Sequence, residues 1–150
     1  MQINFADIPW SISQDESKSL LKEKGFKSEK CDDDTVYASG SLLSLNFTSY
    51  LRFDSDGLSE VSLQLQAGDD YWATFERVKN ILTKKYNNPD SGDDYYSAWS
   101  DTEGNTLSLM NDKDYEVVYI IYYAKRKAEA LTEEIMKQTR DEEASAEDLL

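Results

Sequence analysis

The chain has 150 residues, the commonest size for a single domain, and Leu, Ile, Val and Phe supply 32 of them, close to the lower limit for collapse. Ten Tyr and three Trp add large rings that suit a sheet with one wet face better than an all-helical bundle. Thirty acids against sixteen bases give a formal charge of −14, which disfavours direct nucleic-acid binding, and one Cys with no His excludes an intramolecular disulfide, a thiolate metal cage and the usual zinc ligand.

The start, MQINFADIPW, has no basic or apolar leader region, and no stretch approaches about 18 apolar residues, so a cytosolic protein without a membrane partner is expected. Ser13, with Glu16 three residues later, forms a capping box that predicts a helix over about 14–24, ended by Gly25. Its apolar content is chiefly Leu20 and Leu21, so it is expected to lie on a surface, with Trp10, Ile12 and Phe26 fixing its ends. Cys31 is expected to be a small, partly buried side chain. After the polar run Lys30-Cys31-Asp32-Asp33-Asp34, Val36 and Tyr37 begin a short strand, Gly40 marks a turn, and Leu45, Phe47, Leu51 and Phe53 alternate along a longer strand. Asp54-Ser55-Asp56-Gly57 reads as a hairpin turn, and Val61, Leu63 and Leu65 alternate on the return.

Gly68-Asp69-Asp70 is expected to cap the clearest helix, in which Tyr71, Phe75, Val78 and Leu82 form one stripe that Trp72 and Ile81 widen, as far as Tyr86. A polar loop with Pro89, Gly92, Asp93 and Asp94 leads to strands near 95–100, 105–111 and 115–124. In the last, Tyr115, Val117, Tyr119, Ile121 and Tyr123 share one face while Val118, Ile120 and Tyr122 share the other, the pattern of a central strand. From Ala124 the stripe Ala124, Ala128, Leu131, Ile135 predicts a third helix, and 141–150 reads as a frayed acidic end.

These elements predict an α+β fold: two helix-plus-three-strand units, 1–67 and 68–127, forming an antiparallel sheet with helices on one face. An acidic C-terminal helix and tail, 128–150, follows. Ile8-Pro9-Trp10 ahead of a capped helix, Leu82 to Tyr86, Asn88-Pro89, Trp99, Gly104, Leu107 and Leu109, with the doubled element order over residues 3–124, make the chain resemble a family of tandem repeats. That family contains the β-lactamase inhibitor protein and related outer-membrane assembly lipoproteins. The resemblance implies the duplicated fold and a habit of binding other proteins. The chain departs from it in having Asn87-Asn88-Pro89 where the family usually places Gly before Pro, and its start leads to the expectation of no signal peptide and no lipid-attachment cysteine.

Without His no familiar serine triad can form, and Cys31 sits beside three Asp residues whose charges disfavour a reactive thiolate. The carboxylate pairs Asp69-Asp70 and Asp93-Asp94 occupy cap and loop positions, Asp54-x-Asp56-Gly57-x-x-Glu60 lacks the spacing of a calcium loop, and the six glycines are scattered. No enzymatic activity, cofactor or metal site is expected. A non-catalytic inhibitor or adaptor that binds another protein, basic or nucleic-acid-binding, is the leading reading. Its candidate contacts are Asp93, Asp94, Tyr95, Tyr96 and Trp99 with Tyr115, Tyr119 and Tyr123, because aromatic rings beside an acidic rim have the composition of binding hot spots. The alternative is an acidic decoy in which Asp32–Asp34, Asp69-Asp70, Asp93-Asp94 and Glu142-Glu143 imitate a nucleic acid, as phage or mobile-element inhibitors of nucleases and defence enzymes do.

Overall fold

In the structure, a computed structural model that describes residues 2–150, Ser13 starts helix α1 (Gln14–Glu23). Its Oγ accepts the Glu16 amide at 3.2 Å and donates to the Glu16 carboxylate at 2.9 Å. Only Ser17 and Leu21 of α1 are buried, in keeping with its thin apolar face.

Four strands follow α1 rather than three: β1 (Lys27–Asp32), β2 (Thr35–Leu42), β3 (Leu45–Asp54) and β4 (Gly57–Gln66). β1 runs into the segment read as a polar connection. It is a sheet edge paired only with β2 and largely exposed, Cys31 included, so it needs no apolar alternation and hydropathy cannot reveal it. Gly40 is not a turn residue but lies within β2, where an added Cβ would stand 2.6 Å from Cδ1 of Phe26. The turn is Leu43-Ser44, both left-handed at φ 54° and 63°, a two-residue hairpin built without Gly or Asn.

The second unit repeats the plan. A 3₁₀ turn over Gly68–Asp70 leads into α2 (Tyr71–Tyr86), and Asp70 stands at the cap position without a side-chain cap bond, contrary to the expected acidic cap. Thr74, Phe75, Val78 and Leu82 are buried, while Trp72 and Ile81, expected to widen the stripe, are 41% and 48% exposed. The strands are β5 (Ser91–Gly92), β6 (Tyr96–Ser100), β7 (Thr106–Asp112) and β8 (Val117–Tyr123). The two-residue β5 lies in the expected loop and is too short to carry a pattern.

All eight strands form one antiparallel sheet in the order β1-β2-β3-β4-β8-β7-β6-β5. The last strands of the two units pair, with Val61 opposite Tyr122, Leu63 opposite Ile120 and Leu65 opposite Val118, all six buried. On that face α1 packs over β1 and β2, and α2 over β7 and β8. The N-terminal segment completes the layer: Ile3, Phe5, Ile8, Trp10 and Ile12 are all buried, the Trp10 indole donates to the Ile3 carbonyl at 2.8 Å, and the Phe5 ring lies 6.2 Å from Phe26 and 5.9 Å from Tyr122.

Helix α3 (Lys125–Leu149) continues through the segment expected to fray, because its Glu- and Ala-rich sequence contains no Gly or Pro to stop it. None of its residues is buried. Its first turn is tied down: the Lys125 amide donates to Asn105 Oδ1 at 3.0 Å, and Arg126 donates to Asp54 at 2.7 Å and to the Leu58 carbonyl at 2.8 Å. Among the described residues no helix is long and apolar enough to cross a membrane.

Two joints hold the N-terminal layer. At the β3–β4 turn Gly57 has φ +120°, and a Cβ there would stand 2.7 Å from the Ser11 carbonyl carbon and 2.8 Å from the Trp10 oxygen. Gly57→Ala should therefore destabilise the fold by at least about 2 kcal/mol, read as a lowered urea midpoint. At the β6–β7 turn, Asp101 accepts the amides of Ile3 at 2.8 Å and of Glu103 and Asn105 at 2.9 Å, with the Asn105 carboxamide at 2.9 Å. Partial burial pushes its pKa up, but these donors outweigh that and hold it below the ordinary carboxylate value. A depressed acid stabilises the fold above its unfolded pKa and loses that contribution as pH falls through the folded value. The Ile3 amide should thus lose hydrogen-exchange protection below about pH 4, and Asp101→Asn should remove that pH dependence.

Candidate functional site

Because side chains alternate, every strand that buries a residue under the helices presents its neighbours on the opposite, uncovered face. Strand pairing sets these in rows. Tyr96, Met110, Tyr119 and Gln64 are successive partners across β6, β7, β8 and β4. A second row runs Tyr37, Tyr50, Ser62, Ile121 and Ser108 across β2, β3, β4, β8 and β7. The Tyr37 and Tyr50 rings meet edge to face at 5.6 Å, and the Arg52 guanidinium lies 5.7 Å over Tyr50 while pairing with Glu60 at 3.1 Å. Glu60 faces Tyr123 across the β4–β8 pair; burial, then the Glu60 charge, pushes the Tyr123 phenol pKa up.

At the other end of β8 the loop before β6 and the β7–β8 turn enclose a cleft of about 530 Å³ lined by Tyr95, Met110, Asn111, Asp112, Lys113, Asp114 and Tyr119. The Asn111 amide donates to the Tyr95 carbonyl at 2.9 Å, which fixes the loop to the wall. Neither polar atom of the Asn111 side chain bonds to another group of the chain. The Tyr95 ring reaches Trp72 at 5.4 Å, and Trp72 stands edge-on to Phe75 at 6.3 Å. That contact brings Asp93-Asp94, next to Tyr95 in the chain, toward Asp69-Asp70, next to Tyr71-Trp72. The Asp93 carboxylate accepts the Tyr95 amide at 2.8 Å. A hydrogen bond with Asp69 and its charge hold the Glu116 carboxyl above its ordinary pKa, so the β7–β8 turn also meets this acidic end.

The eight residues singled out by sequence therefore part company. Tyr96, Tyr119 and Tyr123 lie on the uncovered face, with Tyr119 and Tyr123 at opposite ends of one strand. Asp93, Asp94 and Tyr95 are exposed in the loop beside the cleft, and Tyr115 is exposed in the β7–β8 turn, outside the strand it was expected to join. Trp99 is corrected: it is 2% exposed on the helix-covered face, where its indole donates to the Asn87 carbonyl at 2.9 Å. Asp32–Asp34 do not align with Asp69-Asp70 and Asp93-Asp94. They lie at the end of the sheet where Thr35 pairs with Arg52, roughly 20 Å along the strands from the cleft.

Sequence reasoning missed Tyr37, Tyr50, Met110 and Trp72. Tyr37 and Tyr50 were readable, since each falls out of phase with the buried Val36 and Leu51 beside it. Trp72 was hidden by its place beside the apolar stripe of α2. A separate cleft of about 490 Å³ near Ser13, Lys30 and Phe53 includes Asp54, but that carboxylate is engaged by Arg126. Among the described residues no three Cys, Asp or Glu side chains group to hold a metal ion. No protein-family model, curated protein or solved structure matches the chain.

The Asp69–Glu116 contact has a direct readout. Carboxyl carbon shifts followed by NMR should give Glu116 a titration midpoint above that of an ordinary glutamate, and Asp69→Asn should bring it down to the ordinary range. A normal midpoint in the wild-type chain would rule out the contact.

Proposed function

We propose that this protein is a non-catalytic binding module, an inhibitor or adaptor that engages a basic partner protein through the uncovered sheet face, with the cleft at Tyr95 as its most selective part. The observation that carries this reading is the meeting of Tyr95, Met110 and Tyr119, with Tyr96 beside Met110, at a rim that holds Asp112 and Asp114. Aromatic side chains offer large, rigid contact area at low entropic cost, and the Ser, Thr and Gln residues between them supply adaptable hydrogen bonds. Trp72, on the helix side of the sheet, backs the Tyr95 ring at 5.4 Å. The carboxylates steer a cationic surface and make wrong, acidic partners costly. The resemblance to the tandem-repeat inhibitor family points the same way.

A second reading, the nucleic-acid decoy, is favoured by one observation: Asp69, Asp70, Asp93, Asp94, Asp112, Asp114 and Glu116 gather at a single end of the sheet while Lys113 is the one base lining the cleft. Under it, the partner would be a nuclease or other nucleic-acid-binding protein, and a short duplex should compete.

Affinity capture with the full chain as bait, followed by calorimetry on the recovered partner, separates these readings. Tyr96→Ala should weaken binding by about 2 kcal/mol or more with little loss of thermal stability, since the residue is exposed. Asp93→Asn with Asp94→Asn should slow association and flatten its salt dependence. If both variants bind like wild type while charge reversal within 128–148 abolishes binding, the sheet face is not the interface.

A further inference from the structure

We propose that α3 is a self-association element, through which two copies of the chain pair antiparallel along their C-terminal helices. The inference stands apart from the sheet face and rests on three features of α3.

The first is that α3 has no cover beyond the half-buried Leu131. It is 25 residues, roughly 37 Å, and beyond a first turn held by Asn105, Asp54 and Leu58 it leaves the body without burying any residue. Isolated helices draw little stability from propensity alone, and most helices in proteins are held by packing one face.

The second feature is its charge order, which opposes its own dipole. Lys125-Arg126-Lys127 occupy the positive N-terminal end, and residues 141–148 place five carboxylates and no base at the negative C-terminal end. Each end is thus destabilised in a lone helix. An identical helix laid antiparallel corrects both: the basic start of each copy runs beside the acidic end of the other, and the two dipoles oppose. A parallel pair would set like charge on like.

The third feature is where the apolar side chains fall. Ile135 and Met136, 64% and 53% exposed, are the eleventh and twelfth of the 25 positions, so an antiparallel crossing at mid-helix brings both copies of both residues together. With the two-fold axis near Glu134 and Ile135, Ala128, Leu131 and Ile135 share the seam; Lys127 of one copy and Asp141 of the other flank it on one side, and Lys125 and Glu143 flank it on the other. The two bodies then lie at opposite ends of the pair and leave both sheet faces free.

Sedimentation equilibrium of the full chain, from micromolar to near-millimolar concentration, tests this. The wild type should form a reversible dimer that added salt weakens. Lys127→Glu and Asp141→Lys should each raise the dissociation constant about tenfold, because the contact occurs twice per dimer, and the double variant should return to within about threefold of wild type. Ile135→Asp should give a monomer with unchanged helix content and melting temperature, since the side chain is exposed on a helix that buries no residue. A wild-type monomer at the highest concentration, a dimer that survives Ile135→Asp, or a double variant no better than the single ones would overturn the proposal.

Discussion

The pairing of β4 with β8 is the constraint on which the rest of the molecule depends. Each unit is a helix followed by a four-strand meander, and each meander ends in a strand with one unpaired edge. Those two edges meet, bury Val61, Leu63, Leu65, Val118, Ile120 and Tyr122 on one side, and convert two small sheets into one of eight strands. Equivalent strands paired antiparallel are related by an approximate two-fold axis normal to the sheet, which preserves faces. Both helices must then lie on the same side. Two helices at the flanks leave a gap over the central strands, and the N-terminal segment with Ile3, Phe5, Ile8 and Trp10 fills it.

The same constraint leaves the other face bare. A bare sheet face in water is ordinarily polar, and much of this one is: Ser62 and Ser108 continue the Tyr37–Tyr50 row, and Thr48 and Gln64 continue the Tyr96–Met110–Tyr119 row. The exceptions cluster at its two ends, and the ends differ in charge. At one, Tyr37, Tyr50 and Tyr123 surround the Arg52–Glu60 ion pair, which is locally neutral. At the other, Tyr95, Tyr96, Tyr119 and Met110 stand among carboxylates, and Asp69 beside Glu116 holds that carboxyl above its ordinary pKa. The second end sets its exposed rings and carboxylates around one cleft.

The hydrogen-bond chain Ile3–Asp101–Asn105–Lys125 links parts that sequence keeps far apart. It joins the first residues, the β6–β7 turn and the start of α3 at one corner, so the emergence of α3 from the body is fixed by the same turn that anchors the N-terminal layer. Arg126 repeats the arrangement with Asp54 and Leu58 from the first unit.

By itself the sequence determined the α+β class, the doubled order of helix and strands, the long alternating strands β3, β4 and β8, and the capped start of α1. All of these are written in periodicity, caps and turn residues that act within a few positions of one another. It left out β1 and β5, because an edge strand and a two-residue strand need no apolar pattern. It misjudged the end of α3, where Glu and Ala carry a helix that high charge made look frayed, and it placed Trp99 among exposed rings because alternation fixes relative phase and not which phase is covered. Tertiary structure alone decided that. The β4–β8 pairing chose the buried phase, put Trp99 under α2 and Tyr96 in the open, carried Trp72 to Tyr95, and set the acids at residues 32–34 and 93–94 at opposite ends of the sheet, since such distances depend on strand partners that no local pattern names.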